Sequence, residues 1–203
     1  NPNILDQVIV IDTETGGLDP TTDATYEVAM VHAFGGDAWK IADPGRYIPE
    51  ALKVNGINPI AWLQLGLGIP EATNLIDAEV ERVQGRLPAN TRIWLAGHNV
   101  SFDIGFIARL YRIQGREVPR LFGPHRTIDT HTLLWERFVK GEIPLEATSS
   151  EGAFKHFGIE VEGLAGVQLG GAEEHGAGGL GAEAELVQVG AEREHAGVGE
   201  VEI

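Results

Sequence analysis

VIVIDTETGGLDP (residues 8–20) begins as an apolar, β-branched run and ends among glycines and a proline. Such a run favours an extended strand, and the Gly-Gly and Asp-Pro pairs stop it in a tight turn. Two carboxylates, Asp12 and Glu14, stand at the end of that strand. Being two apart on an extended backbone, they point to the same face. Like charges so placed repel, and burial adds a desolvation penalty of several kcal/mol per ion. A divalent cation offsets both effects, and hard ions such as magnesium or manganese prefer oxygen ligands. The competing reading is a solvated strand end whose acids pair with nearby lysine or arginine.

Outward from this strand the pattern predicts a layered α/β domain. TYEVAMVHAF (25–34) and AWKIADPGRYI (38–48) read as two further strands joined by turns, which makes an antiparallel meander. Residues 70–87 place Ala72, Leu75, Ile76, Ala78, Val80 and Val83 at helical spacing. TRIWLAG (91–97) is another strand, and SFDIGFIARLYRIQG (101–115) repeats apolar residues at helical spacing. RTIDT (126–130) reads as a last short strand with a helix through HTLLWERF behind it. Strands followed by mixed strands and helices give an α/β or α+β layered fold. Asp103 falls just inside a predicted helix start, beside His98 and Asn99. Alone it reads as a helix-dipole partner; together with Asp12 and Glu14 it reads as a third site carboxylate.

The chain has 203 residues, enough for one sizeable core, and a formal net charge of −15. That charge argues at first sight against a phosphate polymer as partner. It is unevenly placed, however: residues 161–203 hold nine Glu and one Arg, so about half the excess sits in the last stretch. The same stretch has 11 Gly, 7 Ala and 6 Val with no Asp, Ser, Thr, Pro, Lys or Phe, Trp or Tyr. It reads either as a low-complexity tail or as residues altered or frame-shifted relative to a sequence that folds. With no cysteine there is no disulfide framework, thiolate nucleophile or zinc-thiolate site. The longest uncharged run, Val54 to Pro70, carries two prolines, two asparagines and a glutamine and would span a bilayer poorly. No basic start followed by an apolar segment appears, so the expected location is cytoplasmic, away from membranes.

IDTETGGLDP (11–20) and GHNVSFDIGFI (97–107) resemble the first two motifs of the DEDD 3′–5′ exonucleases, in their DEDDh, DnaQ-like branch and especially the proofreading epsilon subunit of bacterial DNA polymerase III. IPEALKVNGI (48–57), RTIDTHTLL (126–134) and SSEGAFKHFGIEVE (149–162) follow in the family's order. The resemblance covers roughly residues 6–160 and implies a ribonuclease H-like α/β fold: a mixed five-stranded sheet flanked by helices, its first three strands antiparallel. It implies an exonuclease core over 1–160 and a third-motif helix within 161–203. Asp12, Glu14 and Asp103 become metal-site carboxylates holding two Mg2+ or Mn2+ ions. Thr15, Leu18 and Phe102 become contacts to the terminal nucleotides, beside His98 and Asn99. Glu50 and Asn55 fall where the family contacts the terminal sugar and base, although the family often has histidine at the latter position.

The third motif departs from the family. A histidine general base followed five residues later by an aspartate is expected, and the best match is His175 in EEHGAGGLGAEAELV (173–187), with Leu180 where the aspartate would stand. Glu183 and Glu185 are substitutes if the register differs. His195 with Glu200 lies too far along, and His131 with Glu136 lies in a segment the family uses as scaffold. Arg109, Arg112, Arg116, Arg120 and Arg126 form a basic cluster, read as a solvated helix face and loop or as a guide for a single strand. The expected activity is metal-dependent removal of nucleotides from single-stranded or frayed DNA 3′ ends in proofreading. The alternatives are RNA trimming by the same chemistry, or an impaired exonuclease-fold module that only binds. A polymerase III catalytic subunit and a sliding clamp are partners implied by the resemblance alone.

Overall fold

The computed structural model describes residues 3–123 and 125–159, with backbone only for 54 and 55. Its centre is a five-stranded sheet in the order β3-β2-β1-β4-β5. β1 (Val8–Thr15) pairs antiparallel with β2 (Thr25–His32), which pairs antiparallel with β3 (Gly35–Lys40). β4 (Trp94–Gly97) lies parallel to β1 on its other side, and β5 (Thr127–Asp129) parallel to β4. This is the expected mixed sheet flanked by helices, with the first three strands antiparallel.

Alternation along β1 decides which side of the sheet becomes core. Ile9, Ile11, Thr13 and Thr15 are buried, whereas Val10, Asp12 and Glu14 keep some exposure on the opposite face. Against the buried face lie α3 (Ile69–Arg86) and α4 (Val100–Arg112). Ala72, Ile76 and Val83 of α3, and Ile104, Ile107, Leu110 and Tyr111 of α4, join Ile9, Ile11, Val28, Met30 and Leu95 in one cluster. Burying each large aliphatic chain stabilises the fold by roughly 1.5–3 kcal/mol. Ile11→Ala would therefore remove about 2–5 kcal/mol.

Between β3 and α3 stand two short helices, α1 (Pro49–Asn55) and α2 (Pro59–Leu65). Each starts on proline, whose fixed φ and missing N–H suit the first helical position. Leu52 and Trp62 of these helices pack on a second small cluster of Ala24, Tyr26 and Ile57. α5 (Thr130–Val139) follows β5 directly, and α6 (Ser150–Phe157) is capped by the Ser149 hydroxyl on the Gly152 N–H. β3 is shorter than the predicted 38–48 strand and starts earlier, at two glycines. Gly36 is required there, because a Cβ would lie 2.5 Å from the Met30 carbonyl oxygen. Among the described residues no helix is long and apolar enough to cross a membrane. The domain division at 160/161 and the third-motif residues His175, Leu180, Glu183, Glu185 and His195 lie outside the described residues.

Candidate active site

The site is assembled where β1 ends and α4 begins. β4 runs parallel to β1 with Val10 opposite Ala96, so the turn after Gly97 comes out beside Asp12. Gly97 permits this approach, since a Cβ there would meet the Ile11 carbonyl oxygen at 2.9 Å. The chain then reverses at Asn99, which sits in the left-handed region with φ 57 and ψ 43. A non-glycine residue there costs about 1–2 kcal/mol, least for Asn or Asp. Four residues later Asp103, 4% exposed, faces the end of β1 and accepts a hydrogen bond of 2.7 Å from the Thr13 hydroxyl. Asp103 is thus pulled out of solvent by α4 and met by the strand that carries Asp12 and Glu14.

A fourth acid joins them. Glu27 of β2 is registered opposite Glu14, on the same face of the sheet. Burial first, and then the Glu27 charge, push the Asp12 carboxyl up to about 6, although the Thr13 amide favours its charged form. Burial, followed by Asp12, Glu27 and Asp103, pushes Glu14 up to about 8. Burial and the Asp12 charge raise Asp103 to about 7 against the opposing hydrogen bonds from Thr13. Glu27 itself is raised by burial, with Lys40 across the sheet pulling the other way. No lysine or arginine among the described residues offsets the charge on Asp12, Glu14 or Asp103.

An all-oxygen, anionic, water-poor donor set of this kind fits a hard divalent cation. Among the described residues, no three histidine, aspartate or glutamate side chains are already arranged as a metal-binding group. The donors expected from the third motif lie outside the described residues.

The loop leaving β1 is fixed by close packing. The Gly16 N–H donates to the Ala24 carbonyl at 2.8 Å, and its own carbonyl accepts from the Ile48 N–H at 2.6 Å. Gly17 passes so near buried Asp23 that a Cβ would lie 2.2 Å from its carboxylate oxygen. Asp23 in turn accepts from the Asp19 N–H and from Arg46 Nε at 2.6 Å. These constraints leave Leu18 projecting, 72% exposed. The same Ile48 bond ties the start of α1, and so exposed Glu50, to the loop. Phe102 is half-buried against Phe106, with ring centres 4.8 Å apart. Thr15 is buried, and its hydroxyl donates to the Gly17 carbonyl at 2.7 Å. His98 lies 3.2 Å from His131, Nε2 to Nδ1, beside exposed Asn99. The Asn55 side chain is outside the described residues.

The structure corrects the reading of the basic cluster. Arg109 points inward and pairs with buried Asp43, so it neither lines a solvated face nor guides a strand, whereas Arg116 stays partly exposed and pairs with Asp77 at 2.6 Å. Glu136 pairs with Lys140 at 2.6 Å on the exposed side of α5. Glu27 and Thr13 were not singled out in the sequence. The signal for Glu27 was its place in TYEVAMV, outward in parity and one hairpin from Glu14; Thr13 stands between the two acids.

A ribonuclease H-like sheet with buried, uncompensated carboxylates at the end of its central strand fits a phosphodiester hydrolase of the exonuclease class. No family model matches the chain. Its sequence is 28% identical to ribonuclease T of Shewanella sp. strain ANA-3, over 71% of this chain and 74% of that protein. It is 29% identical to ribonuclease T of Yersinia enterocolitica, over 71% of this chain and 76% of that protein. Among solved structures, exonuclease I superposes with a TM-score of 0.59 at 17% identity, over 76% of this chain and 36% of that one. The zinc-bound E. coli exonuclease I complex with single-stranded DNA superposes with a TM-score of 0.54 at 14% identity, over 64% of this chain. The chain spans about a third of the length of these exonuclease I chains, and that likeness concerns the fold. These likenesses set the chain beside the DnaQ-like DEDDh exonucleases, and the resemblance to ribonuclease T indicates a 3′–5′ exonuclease.

Proposed function

We propose that the protein trims single-stranded 3′ ends with Asp12, Glu14 and Asp103 holding two Mg2+ or Mn2+ ions. The observation that carries this is the set of three acids, each raised well above the ordinary carboxylate range, with no cation beside them among the described residues. When bound, such ions supply an acidified water and a counter-charge for the leaving 3′ oxygen. The chain's own residues do the rest. Asp12, Glu14 and Asp103 provide oxygen ligands, and Thr13 orients Asp103. Leu18 and Phe102 offer apolar surface to the terminal bases, the backbone at Thr15 lies along the terminal nucleotide, and Glu50 and Asn55 meet its sugar and base. His98 and Asn99 border the same cleft. His175 is the proposed general base.

RNA is the substrate we place first, because ribonuclease T relatives match over most of the chain, while the DNA-bound neighbours share the fold alone. DNA proofreading beside a polymerase III catalytic subunit and sliding clamp is the second reading, supported by the likeness of the first two motifs. A 3′-labelled single strand, offered as RNA and as DNA of the same sequence, decides between them. Release of mononucleotides in Mn2+ or Mg2+, abolished by chelator and faster for RNA, is expected. Faster release from DNA favours proofreading, binding without release points to a non-catalytic module, and release undiminished by chelator overturns the proposal.

A further inference from the structure

We infer that Asp129 is a positioning residue for the carboxylate site, acting through the turn that launches α4. α4 has no side-chain hydrogen bond from its own N-cap, Asn99, whose backbone is left-handed. The group that holds this turn comes from the neighbouring strand end. Asp129 Oδ1 accepts the Asn99 N–H at 2.8 Å and also the His131 N–H at 3.1 Å, where it caps α5. Its other oxygen accepts the Thr132 hydroxyl at 2.8 Å. One carboxylate therefore fixes two helix starts at once. Two further bonds close the same seam: the Thr130 hydroxyl donates to the Gly97 carbonyl at 3.1 Å, and His131 meets His98 at 3.2 Å. Pairing of Gly97 with Asp129 across β4 and β5 sets the register that makes all of this possible.

The consequence is mechanical. Asp103 lies one helical turn beyond Asn99, so its place opposite Asp12 depends on where the α4 start is pinned. Among the described residues, none of the Asp129 hydrogen bonds goes to Asp12, Glu14 or Asp103. Its influence is transmitted by backbone, and the atom that matters is an acceptor oxygen at a set distance.

Three substitutions separate this from a charge effect, on the exonuclease reading given above. Asp129→Asn keeps an oxygen for both N–H groups, Asp129→Glu keeps the charge but displaces the oxygen, and Asp129→Ala removes both. Activity of D129N within about threefold of wild type is expected. For D129E and D129A, kcat falls by about 10- to 100-fold with KM within about threefold, as small misplacements of reacting groups do. Mn2+ affinity, measured independently by calorimetry, falls with kcat. Should D129A not fold, D129N against D129E still decides. D129N as poor as D129A, D129E and D129A both like wild type, or a loss confined to KM would each overturn the inference. If wild type releases no nucleotide, the exonuclease reading fails, and the Mn2+ affinities of the same variants still test Asp129.

Discussion

Buried acids occur in two settings in this molecule, and they are handled in opposite ways. Away from the end of β1, each one among the described residues is matched to a cation: Asp43 pairs with Arg109, Asp23 with Arg46 at 2.6 Å, and Glu79 with Arg82 and with His32 at 2.7 Å. Burial works against the ionised forms of Asp23 and Glu79, but Arg46 on the one, and Arg82 and His32 on the other, outweigh it and hold both acids below the usual range. Among the described residues, Asp12, Glu14 and Asp103 at the end of β1 face only hydroxyl and amide donors, one another, and Glu27. Among the described residues, arginine is supplied to the structural acids and withheld from these three, which leaves room for a cation that is not part of the polypeptide.

The sharpest way to break this contrast is to neutralise one acid from each setting. Asp12→Asn should lower nucleotide release by about three orders of magnitude, the scale seen when transition-state charge stabilisation is removed, while the metal-free protein at alkaline pH becomes more stable. Asp43→Ala should leave nucleotide release by the folded protein near wild type and destabilise the fold. It leaves Arg109 buried and unpaired, costs about 3–5 kcal/mol, and shows as a lowered urea midpoint that metal does not restore. If D12N destabilised the fold and D43A did not, the assignment of structural and functional acids would be wrong.

Stability against pH sharpens the contrast further. Each of the three acids binds its proton more tightly in the folded chain than in the unfolded one. Below the ordinary carboxylate range near pH 4 they leave the fold unaffected, and they destabilise it progressively as pH rises through about 6, 7 and 8. The Tm of metal-free protein should therefore fall between about pH 5 and about pH 9. Mn2+ should raise Tm more at the alkaline end, and D12N should flatten the slope. A Tm that climbs over this range in wild type and D12N alike would contradict the three shifts.

The smallest expected effect belongs to Glu27. Removing its charge by Glu27→Gln lowers the proton affinity of Asp12 and Glu14, so the acid limb of the activity profile should move to lower pH. The expected shift is under about one pH unit, in keeping with a single neighbouring charge. An unchanged or alkaline-shifted limb would show that Glu27 does not act on the pair.

Much of this was legible in the sequence because it is local. The β-branched run into TGGLDP located β1, its two-residue period put Asp12 and Glu14 on one face, and IWLAG followed by a helical repeat placed Asp103 at a helix start. What escaped depends on partners far along the chain. Arg109 looks like one more basic residue on a helix, and only Asp43, 66 positions earlier, draws it inward. Glu27 joins the site through the antiparallel register, and Asp129 through hydrogen bonds to a turn 30 residues upstream. The short helices α1 and α2 were not anticipated, although Pro49 and Pro59 carry their own start signals.

The central claim is that the acids at the end of β1 are a cation site, and calorimetric titration of Mn2+ into metal-free protein at pH 7 tests it most directly. Run in two buffers of different ionisation enthalpy, with D12N and D103N beside wild type, it should show saturable binding with net proton release, as expected when partly protonated carboxylates take a metal. Both variants should lose that binding. Saturable binding of equal strength in wild type and both variants, or none in wild type, would contradict it.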